Sequence, residues 1–224
     1  MPPRWDLAWC DPAARAVNDR RFALAACGAL PGTRVLERPE QIDELDGAWP
    51  QTWVAKAVWT AAGRDRARGE GAPAGELRAR VANLVARCPV IVEPWCERAL
   101  DVGVCSVVGR APHAPHRLVV DARGGFLGID RRPPELAAEH RARLAEIVGA
   151  CDAALARAGY AGPFTVDAFV HPGGLHACEL NARYTFGHVA HALGAGVLGF
   201  GPPPPGARVL VAAGDDDPVS AWVT

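Results

Sequence analysis

Residues 163–183 read PFTVDAFVHPGGLHACELNAR, and the central HPGG predicts a turn joining two β-strands. Side chains alternate between the two faces of a strand, so Glu179 and Asn181 share one face. A three-residue loop at 172–174 would place Asp167 directly opposite Glu179. Two carboxylates and an amide oxygen are therefore expected within about 5 Å of one another on one face of a sheet.

This oxygen-rich set indicates a cation site. Like charges directly across a ladder destabilise a sheet, and the residues that flank Asp167 and Glu179 are largely apolar. Oxygen ligands suit Mg²⁺, which commonly takes one or two carboxylates plus substrate phosphates, with Mn²⁺ as the alternative ion. The competing interpretation is that one of the two carboxylates simply pairs with an arginine such as Arg183.

The composition excludes several classes of protein. The chain has 224 residues and a formal net charge of -1, so we expect no nucleic-acid partner. We expect no membrane partner either, because no apolar run approaches the roughly 18 residues of a membrane span. The N-terminus does not read as a signal peptide, which predicts a cytoplasmic protein. Seven scattered cysteines without a Cys-x-x-Cys pair favour reduced thiols over disulfides or structural zinc.

Lys56 is the one lysine among 24 basic residues. It lies in TWVAKAVW at 52–59, which reads as a strand rich in β-branched and aromatic residues. An unpaired ammonium among apolar residues is costly, so Lys56 needs an anionic partner. That partner is a phosphate group or, alternatively, a nearby carboxylate.

The remaining segments alternate between strands and helices. Asn18 is expected to cap a helix that runs to about Ala29, and Pro134 to open a long helix that ends near Ala158. The glycine- and arginine-rich stretch 60–75 is expected to be a mobile loop, since it lacks apolar periodicity. Strand pairs joined by hairpins, with helices between them, predict an α+β fold with largely antiparallel sheets.

The metal motif resembles the signature of the ATP-grasp superfamily. In that family an acid on one strand and Glu-x-Asn on the next hold the magnesium ions that bridge the phosphates of ATP, and here these are Asp167, Glu179 and Asn181. Val54-Ala55-Lys56 is similar to the strand that carries a phosphate-binding lysine. The resemblance implies ATP and Mg²⁺ as cofactors, bound between two α+β subdomains.

Further segments follow the order of that family. The stretch ending at Arg64 resembles the glycine-rich loop over the phosphates, although its arginines also fit a solvated charge run. Glu93 and Trp95 lie where the family has the hinge that binds adenine, and Asp101 lies near the acid that contacts ribose. Arg20 stands where the family brings a first cation to the phosphates, usually a lysine. The second acid expected after Asp101 is missing.

The resemblance covers about residues 18–200. The Lys56-Ala-Val-Trp motif and the run from Glu179 to His188 are similar to a bacterial ATP-grasp subgroup of the carboxylate-amine ligase type. We expect a remnant at 1–17 in place of the usual N-terminal domain, followed by an ATP-grasp domain at 18–224. Its nucleotide-clamping lobe would span about 33–93 and its metal-binding lobe about 94–213.

The activity implied by the resemblance is ATP-dependent ligation. A small carboxylate would be activated as an acyl phosphate and attacked by an amine acceptor, with Lys56 and Arg183 as catalytic groups. Arg183 would hold the transferring phosphate or the substrate carboxylate, or it would instead support Glu179. His188 and His191 are a base, ligands, or core and capping residues. The alternatives are an ATP-binding subunit that needs a protein partner or homodimer, and a small-molecule kinase.

Overall fold

The computed structural model describes residues 12–45, 47–59, 65–121, 125–194, 196–200, 208–212 and 219–223. The chain divides into two compact units, the first ending at Glu97 and the second beginning at Arg98. Every strand pair in the described residues is antiparallel, which confirms the predicted α+β class.

The first unit contains one sheet and four described helices. The strand order of its sheet is β1-β4-β2-β3. Its elements along the chain are α1 (Pro12–Val17), α2 (Arg20–Cys27), β1 (Arg34–Leu36), α3 (Gln41–Glu44), β2 (Thr52–Ala57), β3 (Arg66–Glu70), α4 (Gly75–Val85) and β4 (Val90–Pro94).

Trp53 lies at the centre of the core of this unit and is fully buried. Its ring contacts that of Trp49, with 4.8 Å between the centroids, and its indole N–H donates to the Gly71 carbonyl oxygen at 2.6 Å. Gly69 passes beneath the ring, where an added Cβ would lie only 2.5 Å from it. A side chain at position 69 would therefore displace the largest core residue.

The prediction of a loop over 60–75 is wrong for its second half, since β3 pairs along its whole length with β2. Residues 60–64 lie outside the described residues. Only Ala67 is buried in β3, because this edge strand is held by backbone hydrogen bonds and presents its arginines to solvent. A strand held in this way carries little hydrophobic pattern, so the sequence did not reveal it.

The second unit contains an eight-stranded sheet with strand order β11-β12-β10-β7-β6-β5-β8-β9. Its elements are β5 (Leu100–Val107), β6 (His116–Val120), β7 (Phe126–Asp130), α5 (Ala138–Arg157), β8 (Pro163–His171), β9 (Gly174–Asn181), α6 (Phe186–Leu193), β10 (Val197–Phe200), β11 (Arg208–Ala212) and β12 (Val219–Val223).

Two helices of the second unit pack on its sheet. The long helix α5 lies on β8 and β9, whereas α6 lies on β5 and β7. The helix α5 begins at Ala138 and not at Pro134, because the preceding stretch is extended and buries Leu136.

The cap predicted for α2 also differs in the structure. The capping residue is Asp19 instead of Asn18, since the Asp19 carboxylate accepts the Arg21 backbone N–H at 2.8 Å. The Asn18 side chain instead donates to the Ala14 carbonyl oxygen at 2.8 Å. Helix α2 therefore begins one residue later than the sequence predicted. Across the described ranges, no helix is both long enough and apolar enough to span a bilayer.

Candidate functional site

The β8–β9 hairpin places Asp167 directly opposite Glu179, as predicted. The predicted route to that pairing is wrong, because His171 pairs with Gly174 across a two-residue turn. A β-bulge then adds Cys178 as an unpaired residue and shifts the register by one. The shorter turn and the bulge compensate each other, so the two carboxylates still share one face of the sheet.

The Asp167 carboxylate lies in an environment that disfavours its charged form. Burial, followed by the negative charges of Glu179 and Asp101, raises the pKa of Asp167 to about 8, although the positive charge of Arg183 opposes this shift. The Asn181 amide N–H donates a hydrogen bond to Asp167 Oδ2 at 3.2 Å. The amide oxygen of Asn181 can still act as a metal ligand. The surroundings of Asp167 therefore favour its protonated form.

The chemistry of this donor set fits a divalent cation that also carries phosphate. Among the described residues, no three His, Cys, Asp or Glu side chains form a metal cage. Asp167 and Glu179 with the Asn181 oxygen instead supply the two carboxylates and one neutral oxygen that Mg²⁺ accepts when phosphates and waters complete its shell. Two carboxylates directly opposite each other on neighbouring strands favour a cation between them.

Arg183 lies near the carboxylate pair, and its role stays a prediction. Its guanidinium makes no ion pair with Asp167 or Glu179 within the part of the chain that the structure describes. Its charge nevertheless lowers the pKa of Asp167, so it lies near the carboxylates without neutralising them. This placement leaves Arg183 able to contact an anionic ligand.

Asp101 is buried and pairs with Arg98 at 2.8 Å. The Arg98 guanidinium also lies over the Phe169 ring, 4.3 Å from its centroid. Sequence reasoning missed Arg98, because it precedes the strand that carries Asp101 and no motif marks it. A role for Asp101 toward ribose stays a prediction.

Lys56 pairs with Glu93 in the first unit. The two residues lie on the neighbouring strands β2 and β4, and both side chains are largely buried, with exposed fractions of 17% and 8%. The sequence predicted either a phosphate group or a nearby carboxylate as the partner of Lys56, and the structure shows the carboxylate of Glu93. A phosphate ligand would therefore meet an ammonium that Glu93 already holds in place.

Arg20 and Arg21 begin helix α2 and have different partners. Arg21 binds the carboxylates of Asp19 at 2.7 Å and Glu37 at 3.3 Å, and the hydrogen bond to Asp19 raises its pKa. Arg20 donates to the Ala57 carbonyl oxygen at 2.8 Å, at the end of the strand that carries the lysine. A contact of Arg20 with phosphate stays a prediction.

The predicted adenine-binding segment ends at Trp95, whose ring lies 4.0 Å beneath the Arg68 guanidinium. The Trp95 backbone N–H donates to the Thr52 carbonyl oxygen at 2.9 Å, and the Thr52 hydroxyl donates to the Trp95 carbonyl oxygen at 3.1 Å. Trp95 is therefore left to contact a base mainly through its ring. Arg64 lies outside the described residues, so its predicted phosphate contact is not described.

A buried histidine that the sequence did not single out lies beside the carboxylate pair. His116 is fully buried and pairs in register with Gly103, which itself pairs with Asp167 on β8. An added Cβ at position 103 would lie 2.5 Å from His116 Nε2, so the glycine makes room for the ring. A glycine inside a strand indicates such a close approach, and Gly103 was the available signal.

The two histidines of α6 contact different partners. His188 accepts the Thr185 backbone N–H at 3.2 Å and completes a capping box at the start of the helix. His191 stacks on His113 with 4.4 Å between ring centroids, and burial lowers the pKa of His191 to about 4. The capping interpretation is therefore confirmed for His188, whereas the role of His191 stays a prediction.

The sequence matches no protein-family model and no curated protein. Several solved structures have a fold similar to that of this chain. A carboxyaminoimidazole ribonucleotide synthase from Aspergillus clavatus, complexed with ATP, has a TM-score of 0.68 at 13% identity, covering 94% of this chain and 69% of its own. An N5-carboxyaminoimidazole synthetase from Staphylococcus aureus, complexed with ADP, has a TM-score of 0.69 at 12% identity, covering 94% and 68%.

A D-cycloserine synthetase has a TM-score of 0.59 at 20% identity, covering 76% of this chain and 64% of its own. The chain thus spans about two thirds of the length of these proteins. The identities are low, and the likeness therefore concerns the arrangement of helices and strands. Together with the antiparallel sheets and the Asp167–Glu179 pairing, it shows that this chain has the ATP-grasp fold.

Proposed function

We propose that the protein is an ATP- and Mg²⁺-dependent ligase that activates a carboxylate as an acyl phosphate for attack by an amine. The observation that carries this proposal is the pairing of Asp167 with Glu179, beside Asn181, within an ATP-grasp fold. Two like charges at one point of a sheet are costly in a resting protein. They are useful where a cation-bound nucleotide occupies the site.

The proposed reaction has two steps. The substrate carboxylate attacks the γ-phosphorus of ATP and ADP leaves. The amine then attacks the acyl carbon, inorganic phosphate leaves, and the amine nitrogen loses a proton. Neither step requires a side-chain nucleophile, so the protein contributes by positioning the reactants and by stabilising phosphate charge.

In this proposal, the acidic and amide side chains bind the metal and the basic side chains contact the phosphates. Asp167, Glu179 and Asn181 would hold magnesium, which supplies neutralisation of phosphate charge when it is bound. Lys56 and Arg20 would contact the phosphates as fixed cations. Each is preorganised, Lys56 by its ion pair with Glu93 and Arg20 by its bond to the backbone of β2.

Arg183 would orient the anionic reactant next to the metal. It is half-buried, lies two residues beyond Asn181, and makes no ion pair with the carboxylates in the described residues. A planar guanidinium suits both a carboxylate and a phosphoryl group through paired hydrogen bonds. Replacing Arg183 by lysine is therefore expected to impair turnover more than nucleotide binding.

The test of this proposal follows the transfer of labelled oxygen from the substrate carboxylate to inorganic phosphate. The full chain is incubated with ATP, Mg²⁺ and amines, together with a panel of carboxylates that carry ¹⁸O in the carboxyl group. An acyl phosphate passes one labelled oxygen to inorganic phosphate, which mass spectrometry detects. The variant Glu179→Gln should abolish this transfer, whereas Glu135→Gln, at an exposed residue of the same unit, should retain it.

Other outcomes distinguish the alternatives. Tight Mg²⁺-dependent ATP binding without ADP release, for every carboxylate and amine supplied, would favour an ATP-binding subunit that needs a partner. A phosphorylated product without ligation would indicate a small-molecule kinase. Either result would overturn the ligase proposal while leaving the fold unchanged.

A further inference from the structure

The second unit contains a cavity of about 410 Å³ beneath α5 and beside the irregular stretch 108–115. Helix α5 packs on β8 and β9. The neighbouring strand β5 contributes Val104 and Ser106 to the lining of the cavity, and both residues are buried. The floor of the cavity is apolar and consists of Val104, Leu144, Val148 and Phe164.

This cavity lies on the face of the sheet that points away from the carboxylate pair. Gly103 pairs with Asp167, whereas the next residue, Val104, lines the cavity. Successive residues of a strand point to opposite faces, so the sheet itself separates the two sites. A ligand in the cavity would not touch the proposed magnesium ligands.

The charges at the edge of the cavity are unbalanced. Arg110 and Arg141 both line it and both are exposed, and neither guanidinium pairs with a carboxylate within the described ranges. The acidic lining residue Asp152 already accepts the Gly109 backbone N–H at 2.9 Å. Two guanidinium groups above an apolar floor complement a molecule with an anionic head and an apolar body.

We propose that this cavity binds a small carboxylate with an aryl or branched apolar body, separately from the nucleotide. Its carboxylate would bind Arg141 and Arg110, and its apolar part would enter the cavity and contact the apolar floor. A volume of about 410 Å³ falls within the usual range of small-molecule sites. The inference goes beyond the proposed ligase activity and does not depend on it.

The experiment uses 4-phenylbutyrate as the probe and 4-phenylbutyramide as its neutral analogue, with binding to the full chain measured by calorimetry. Phenylbutyrate should bind with a stoichiometry of one, and the amide should bind at least about tenfold more weakly because it lacks the charge. Arg141→Gln should weaken phenylbutyrate binding by a similar factor. Arg157→Gln, at an exposed arginine in the last turn of the same helix, is the matched control and should leave it unchanged.

Gly149→Leu tests the location of the probe. Gly149 lies in α5 on the wall of the cavity, and an added Cβ would meet no atom within 4 Å, so the backbone there has room for a larger side chain. Leucine also favours a helix more than glycine does, so the variant should melt no lower than the parent protein. It should abolish phenylbutyrate binding.

Several results would overturn the proposal. They are the absence of saturable binding, equal binding of the amide, and phenylbutyrate binding that survives Gly149→Leu. Competition between phenylbutyrate and ADP would place the probe in the nucleotide site instead. A dimer that Gly149→Leu dissociates, without phenylbutyrate binding, would assign the cavity to a second copy of the chain.

Discussion

Lys56 with Glu93 in the first unit, and Asp167 with Glu179 in the second, are both charged pairs on neighbouring antiparallel strands. In the first pair the charges are opposite and the side chains contact each other directly. In the second the charges have the same sign, and their environment raises the pKa of Asp167 to about 8. In the first pair, the opposite charges of Lys56 and Glu93 compensate each other without a ligand. The second pair brings two acidic side chains together, and this difference is the reason for proposing a cation at the second pair and not at the first.

Breaking the first pair should have the largest effect on stability. Lys56→Met leaves the buried Glu93 carboxylate without its partner, which should cost about 3–5 kcal/mol of the free energy of unfolding. Adding Glu93→Gln to Lys56→Met should recover much of that loss, since no buried charge then remains unpaired. Urea denaturation of both single variants and the double variant measures the coupling. A loss that the double variant does not reduce would mean that the pair is not the source of the effect.

His116 adds a third case, a buried titratable group that the fold keeps neutral. Burial, with smaller effects from His191, His188, His113 and Arg131, lowers its pKa to about 3 from an ordinary 6.5. Between these two values the unfolded chain binds a proton that the folded protein does not. The contribution of His116 to stability is therefore complete above about pH 6.5 and falls as the pH decreases, by up to about 1.4 kcal/mol per pH unit.

His116→Phe keeps a ring in this place and removes the titration. Relative to the parent protein, it should therefore gain about 2–3 kcal/mol in the free energy of unfolding between pH 6.5 and pH 4.5. The measurement is urea denaturation at several pH values, and the carboxylates common to both proteins cancel in the difference. Parallel pH profiles for the two proteins would show that His116 becomes protonated within the folded state.

Neutralising one member of the like-charged pair should have the smallest effect on stability. This change should stabilise the protein, whereas breaking the Lys56–Glu93 pair should destabilise it. Glu179→Gln in EDTA should raise the free energy of unfolding by about 1 kcal/mol at pH 9, where Asp167 is ionised. The gain should shrink at pH 6, because Asp167 is then protonated and little repulsion remains. Glu135→Gln serves as the control and should change neither value. A destabilised Glu179→Gln would show that the carboxylate is already compensated in the resting protein.

Alternation along a strand correctly placed Glu179 and Asn181 on one face, but the pairing of Asp167 with Glu179 was predicted through a three-residue loop that the structure lacks. The two-residue turn and the bulge at Cys178 compensate each other, and no residue type requires that bulge. The strand β3 was missed because it has one buried residue, Ala67, and its remaining stabilisation comes from the backbone. The sequence indicated that Lys56 needs an anion. It could not select Glu93 without the register of β4 against β2.

The strands β10 and β12 were also missed. They follow or lie among proline- and glycine-rich segments that read as chain breaks, yet both pair in the eight-stranded sheet. His116 was passed over because a histidine in a strand has no distinctive pattern. The strand β10 pairs with β7, which is distant in the chain, so the local sequence could not identify that neighbour.

The central claim is that the hairpin carboxylates bind a divalent ion together with nucleotide phosphate. Its most direct test is the affinity for a non-hydrolysable ATP analogue, with Mg²⁺ and with EDTA, for the parent protein, Glu179→Gln and Glu135→Gln. Mg²⁺ should tighten binding to the parent protein and to Glu135→Gln by at least about tenfold, and should leave Glu179→Gln unchanged. The same Mg²⁺-dependent gain in all three proteins would contradict the account.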